Sequence, residues 1–116
     1  MLNDPPGFEQ AFTGITYFQI LARYNRWANE RLYALCLSLP PEDYTKDRGA
    51  FFGSIGRTLN HILVGDRIWM ARFAGLSTPS LTLDAEPYPD REDLWRARQG
   101  QDREIITLFK NYDDTI

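Results

Sequence analysis

Three stretches of this 116-residue chain repeat their apolar residues at the helical period, and together they offer more apolar surface than three helices readily bury among themselves. The first covers about residues 14–39, with Thr13 as its N-cap and Pro40–Pro41 as its stop. At about 100° per residue, Phe18, Leu21, Ala28, Leu32, Leu35 and Leu39 share one face, with Gln19, Arg23, Arg26 and Glu30 opposite. Asn25 interrupts the apolar face. The second stretch covers about 54–74, opened by Ser54 and closed by Gly75. Its stripe is Ile55, Leu59, Ile62, Leu63, Trp69, Met70 and Phe73, with Asp66 in the middle. The third covers about 91–112 and starts at Asp90, where Asp90-Arg-Glu-Asp93 approximates a capping box. Leu94, Ala97, Gln101, Ile105, Leu108, Phe109 and Tyr112 form its stripe.

The connectors are rich in turn formers. Pro41–Tyr44 suits a single helical turn, because proline is tolerated at the first helical position. Gly49 and Gly53 bracket Ala50–Phe51–Phe52, an exposed-looking aromatic pair expected to plug one end of a bundle. The run LSTPSLTLDAEPYP carries three prolines and is expected to drape over the bundle. Residues 1–116 therefore read as one all-α domain, an up-down helical bundle. Either a partner chain covers the excess apolar surface, or a fourth helix is missing. Asp66 is costly to bury unless paired, so it should have a partner: Asn25, or an arginine of the first helix.

Charge narrows the partner classes. A formal net charge of −3 and the lack of a basic run disfavour nucleic acid, which is bound by displacing counterions with cations. No run approaches the roughly 18 apolar residues of a membrane span, and the N-terminus does not read as a signal peptide. A single cysteine, Cys36, excludes an intrachain disulfide and suits a reducing compartment; it reads as a small buried hydrophobe. The expected location is the cytoplasm.

His61, the only histidine, lies off the main stripe of its helix, about 140° round, on a flank with Val64, Gly65 and Ile68. Tyr24–Asn25-x-Trp27–Ala28–Asn29, the Gly53–Ser54–Ile55 opening, and Leu59–Asn60–His61–Ile62–Leu63 with Asp66 and Trp69 together resemble the DinB/YfiT superfamily over most of residues 17–75. The resemblance implies a four-helix bundle, often dimeric. It also implies a divalent metal, zinc or nickel, held by a histidine triad. One of these histidines falls at His61, and the other two belong to a His-x-x-x-His pattern on a fourth helix. Family chemistry would be metal-dependent thiol S-transfer or hydrolysis with a small thiol, the metal acting as a Lewis acid.

The sequence departs from that pattern after its third helix, where no second histidine follows. The expectation is a bundle lacking the family's fourth helix, with metal bound weakly or not at all, and with His61 as the one ligand position. A catalytic zinc takes three protein ligands and an open position. Asp66 cannot easily join His61, since five residues is about 140° of net rotation. A two-fold axis bringing two His61 rings together is a further possibility. Asn25, Trp27 and Trp69 could line a cleft, or serve in polar pairing and aromatic packing. A Cys36–His61 dyad is disfavoured because Cys36 faces the apolar side of its helix. Two functions stay open: a metal-dependent enzyme, or a non-catalytic module that homodimerises through the surface a fourth helix would cover.

Overall fold

The computed structural model describes residues 14–77 and 82–111. Thr13 and Tyr112, expected at two helix ends, lie outside them. Four helices are described: α1 (Gly14–Ser38), α2 (Pro41–Thr45), α3 (Ile55–Phe73) and α4 (Arg91–Lys110). The architecture is all-α, as the periodicity predicts.

Local chemistry sets the boundaries. α1 stops just short of Pro40–Pro41, and Pro41 starts the single turn of α2. Ser54 Oγ accepts the Arg57 amide at 3.1 Å and caps α3. At its far end Gly75 takes φ +73°, and the Leu76 amide reaches back to the Ala71 carbonyl at 2.8 Å. Asp90 Oδ1 accepts the amides of Glu92 and Asp93 at 2.9 and 3.0 Å, capping α4 as its acidic start predicts.

Contacts at the helix ends define an up-down-down topology. Arg91, at the start of α4, donates to the Cys36 and Leu39 carbonyls at the end of α1. At the opposite end Phe18 stacks on Phe109 with ring centroids 5.6 Å apart, so α1 and α4 are antiparallel. Tyr88, just before α4, is bonded to Asn60 near the start of α3, and Phe73 meets Phe109 at their far ends. Residues 83–88 thus lie against the first half of α3, and α4 runs parallel to α3. α4 packs against both α1 and α3, whereas α1 and α3 make little direct contact.

Two apolar clusters result. Tyr33, Cys36, Tyr44, Leu59, Leu63 and Leu94 form one, and Ala22, Ile105 and Phe109 the other. Gly56 is required where Tyr44 packs on α3, since a Cβ there would sit 2.7 Å from the ring.

The buried faces differ from those expected. α1 turns Ala22, Asn25, Asn29, Tyr33 and Cys36 toward α4, about 75° round from the anticipated stripe. Phe18, Leu21, Leu32 and Leu35 are exposed. In α3, Leu59 and Leu63 are buried, but Ile62 and Trp69, also expected in the core, are 44% and 64% exposed. The physical reason is that α4 engages a face of α1 holding two asparagines, which dilute its apolar signal. The aromatic pair has the exposed character expected of it at Phe51, which is 94% exposed and so plugs nothing. Gly49 and Gly53, at φ +71° and +91°, turn the chain sharply and leave Phe51 outside, while Phe52 packs inward.

Candidate functional site

His61 is partly buried on the flank predicted for it. Its ring stacks on Phe52, centroids 3.9 Å apart, and Nδ1 lies 2.7 Å from the Leu83 carbonyl. A carbonyl only accepts, so Nδ1 carries a proton, and in the neutral ring the lone pair is on Nε2. Val64 and Ile68, assigned to the same flank, are buried.

The fit to a metal fails on the described residues. No three His, Cys, Asp or Glu side chains among them are placed to hold an ion. His61 alone supplies one nitrogen, short of the three protein ligands a catalytic zinc takes. Cys36 belongs to the apolar cluster, and burial pushes its thiol pKa up, the opposite of what a nucleophile needs.

The chemically dense part of the interior lies elsewhere. Arg98 on α4 is 1% exposed, and its Nη2 sits 2.7 Å from both Asp66 Oδ2 and Asp102 Oδ1. Its Nε donates to Asp102 Oδ1 at 3.0 Å. From α1, Asn25 Nδ2 donates to Asp102 Oδ1 at 3.0 Å, and Asn29 Nδ2 to Asp102 Oδ2 at 3.1 Å. The anticipated Asn25–Asp66 bond is therefore replaced. Asn25 serves Asp102, and Asp66 takes an arginine from α4 rather than α1. One guanidinium stands between two carboxylates, leaving a formal excess of one negative charge.

This network borders an open groove between α1 and α3. One pocket of about 260 Å³ lies between Leu32 and Cys36 on one side and Ile55, Leu59 and Ile62 on the other. A second, of about 210 Å³, is lined by Phe18, Leu21, Asn25 and Asp66, with Ile105 and Phe109 of α4. Asp66 reaches this opening with about a third (34%) of its side chain exposed. Trp69 is on the exposed face of α3, with Arg72 stacked 5.3 Å over its ring. Trp27 packs with Tyr24 and Arg31 and lines neither pocket. A larger hollow of about 790 Å³ between α3 and α4 includes Arg67, but that guanidinium is engaged by the Tyr88 hydroxyl at 2.9 Å.

Arg98 and Asp102 escaped the sequence reading because their i, i+4 spacing looks like a surface ion pair. The available signal was position, since both fall among Leu94, Gln101 and Ile105 on the α4 stripe. Asn60, in the Leu59–Leu63 run, is another buried polar side chain. It is fully buried, accepts the Tyr88 amide at 2.9 Å and donates to the Tyr88 carbonyl at 3.0 Å.

The fold and site define a class: a helical bundle with a buried charged network beside its apolar clusters and, among the described residues, an open groove between α1 and α3. The DinB family model matches residues 12–115, and the chain belongs to the DinB family. It is similar to Protein DinB of Bacillus subtilis (strain 168), 27% identical over 92 residues, covering 79% of this chain and 53% of the relative. The match thus spans about half the length of that relative. No solved structure matches the chain. No described helix is long and apolar enough to cross a membrane.

Proposed function

We propose that this chain is a helical pairing module of the DinB fold that homodimerises by covering the groove between α1 and α3. The observation that carries this reading is the exposed apolar surface on those two helices: Phe18, Leu21, Leu32 and Leu35 on one, Ile62, Trp69 and Phe73 on the other. Phe18, Leu21, Leu32 and Ile62 line the two pockets of the groove, and exposed apolar surface of this kind gains by being covered. Light scattering across a dilution series tests it. The expected species is a two-chain particle that dissociates on dilution; a single-chain mass at every concentration would rule the module out.

A second reading is supported by the orientation of His61. Its Nδ1–H is held by a backbone carbonyl, the arrangement that leaves Nε2 available to a metal. On this reading His61 is one ligand for zinc or nickel in metal-dependent thiol transfer or hydrolysis, with further ligands from outside the described residues and a small thiol as substrate. Elemental analysis of untagged protein separates the two. Less than about a tenth of an equivalent of metal removes the enzyme reading of this chain. Stoichiometric metal that disappears in His61→Ala supports it. Either function would sit in the cytoplasm, on the strength of the lone free cysteine.

A further inference from the structure

We propose that the hollow between α3 and α4 is a binding site for a small amphipathic anion, a single carboxylate carried on an apolar body. The hollow shares no lining residue with the two groove pockets, so this inference stands apart from the pairing reading. Its volume, about 790 Å³, falls within the roughly 300–1,000 Å³ of small-molecule sites. Met70, Ala71 and Ala74 on one side and Leu108 on the other supply apolar wall.

Three polar side chains define the head group. Gln101 lines the hollow and is 6% exposed, yet its carboxamide has no hydrogen-bond partner among the described residues. That amide is not sealed off: among the described side chains, only Tyr44 Oη and Arg98 Nη1 are both sealed and unpaired. A buried amide left open to a hollow is satisfied by whatever fills it. Arg67 gives one of its five N–H donors to the Tyr88 hydroxyl and stacks 5.1 Å over that ring. Its guanidinium is thereby held in place, with no carboxylate paired to it among the described residues. Arg103 is exposed and likewise has no ion pair among them. Its Nη2 lies 3.8 Å from where a Cβ on Gly100 would stand, so the side chain folds back over the wall of the hollow. Glu104 is the one acid lining it, which leaves a single excess positive charge. That balance suits a monoanion and opposes a cation. A carboxylate would accept from the guanidiniums and from Gln101 Nε2 while its apolar body covers Met70 and Leu108.

The test titrates the nitrogen-labelled full chain with octanoate, and with octanol and octylammonium as neutral and cationic counterparts, followed by NMR. Octanoate is expected to give saturable shifts at the Gln101 side-chain amide and the Gly100 backbone amide, with octanol weaker and octylammonium weakest. Arg103 is exposed and unpaired, so its variants are expected to fold. Arg103→Gln should weaken octanoate by roughly fivefold, as expected of one exposed charge, and Arg103→Glu by more. Ala71→Trp, which fills the hollow and leaves every charge in place, should abolish the Gln101 shift without lowering the melting temperature. Octylammonium binding as tightly as octanoate, or octanoate shifts centred on Leu32 and Ile62, would overturn the site. So would octanoate binding that Arg103→Glu leaves unchanged, or no saturable octanoate binding to the wild-type chain.

Discussion

Arg98 is the residue on which the interior turns. Its Nε and Nη2 are engaged by carboxylates, while its Nη1 is buried without a partner. Arg98→Met would leave Asp102 buried against two amides only. The expected cost is about 3–5 kcal/mol in urea unfolding, and pairing it with Asp102→Leu should recover much of that. Tyr44 offers the opposite case. Its hydroxyl is buried and unpaired, so Tyr44→Phe should be neutral or stabilising, by up to about 1 kcal/mol. Burial also pushes the Tyr44 hydroxyl pKa from 10.0 up to about 12. The unfolded chain therefore releases this proton first as pH rises. Stability is full below about pH 10 and falls from there to about 12, and Tyr44→Phe should make that fall shallower in thermal melts. Burial raises Tyr33 in the same sense, so part of the alkaline loss should survive the substitution.

At the scale of elements, the segment from Leu83 to Tyr88 is held by side chains of α3 rather than by secondary structure. Asn60 clamps both backbone groups of Tyr88, His61 holds the Leu83 carbonyl, and Arg57 pairs with Glu86 at 3.4 Å. The exposed Arg57–Glu86 pair contributes little. Asn60→Ala should therefore cost about 1–3 kcal/mol and speed exchange of the Tyr88 amide. A result confined to the exposed pair, with Asn60→Ala silent, would contradict this. Helix ends were legible because their causes are local. Ser54, Gly75, Asp90 and Pro40–Pro41 each act within a turn of the boundary they set. Helix faces were less legible. On α1, Asn25 and Asn29 face the interior because Asp102 is there, and nothing within α1 itself announces Asp102.

For the whole molecule, the surplus of apolar surface was legible without knowing where it would lie, since it follows from stripe width on three helices. Its location depended on α4 lodging between α1 and α3 on one side only, a tertiary choice invisible to periodicity. The candidate site divides the same way. His61 stood out as the lone histidine, whereas the Arg98 network needed three helices in place to be seen. The groove also holds a natural gauge of its own occupancy. Cys36 lines its Leu32–Ile62 pocket, 6% exposed, with a thiol that burial makes sluggish. If a second copy seats there, labelling of Cys36 by a thiol reagent should slow as protein concentration rises through the dimer range. A labelling rate independent of concentration would mean that this end of the groove stays open to small molecules even in the dimer.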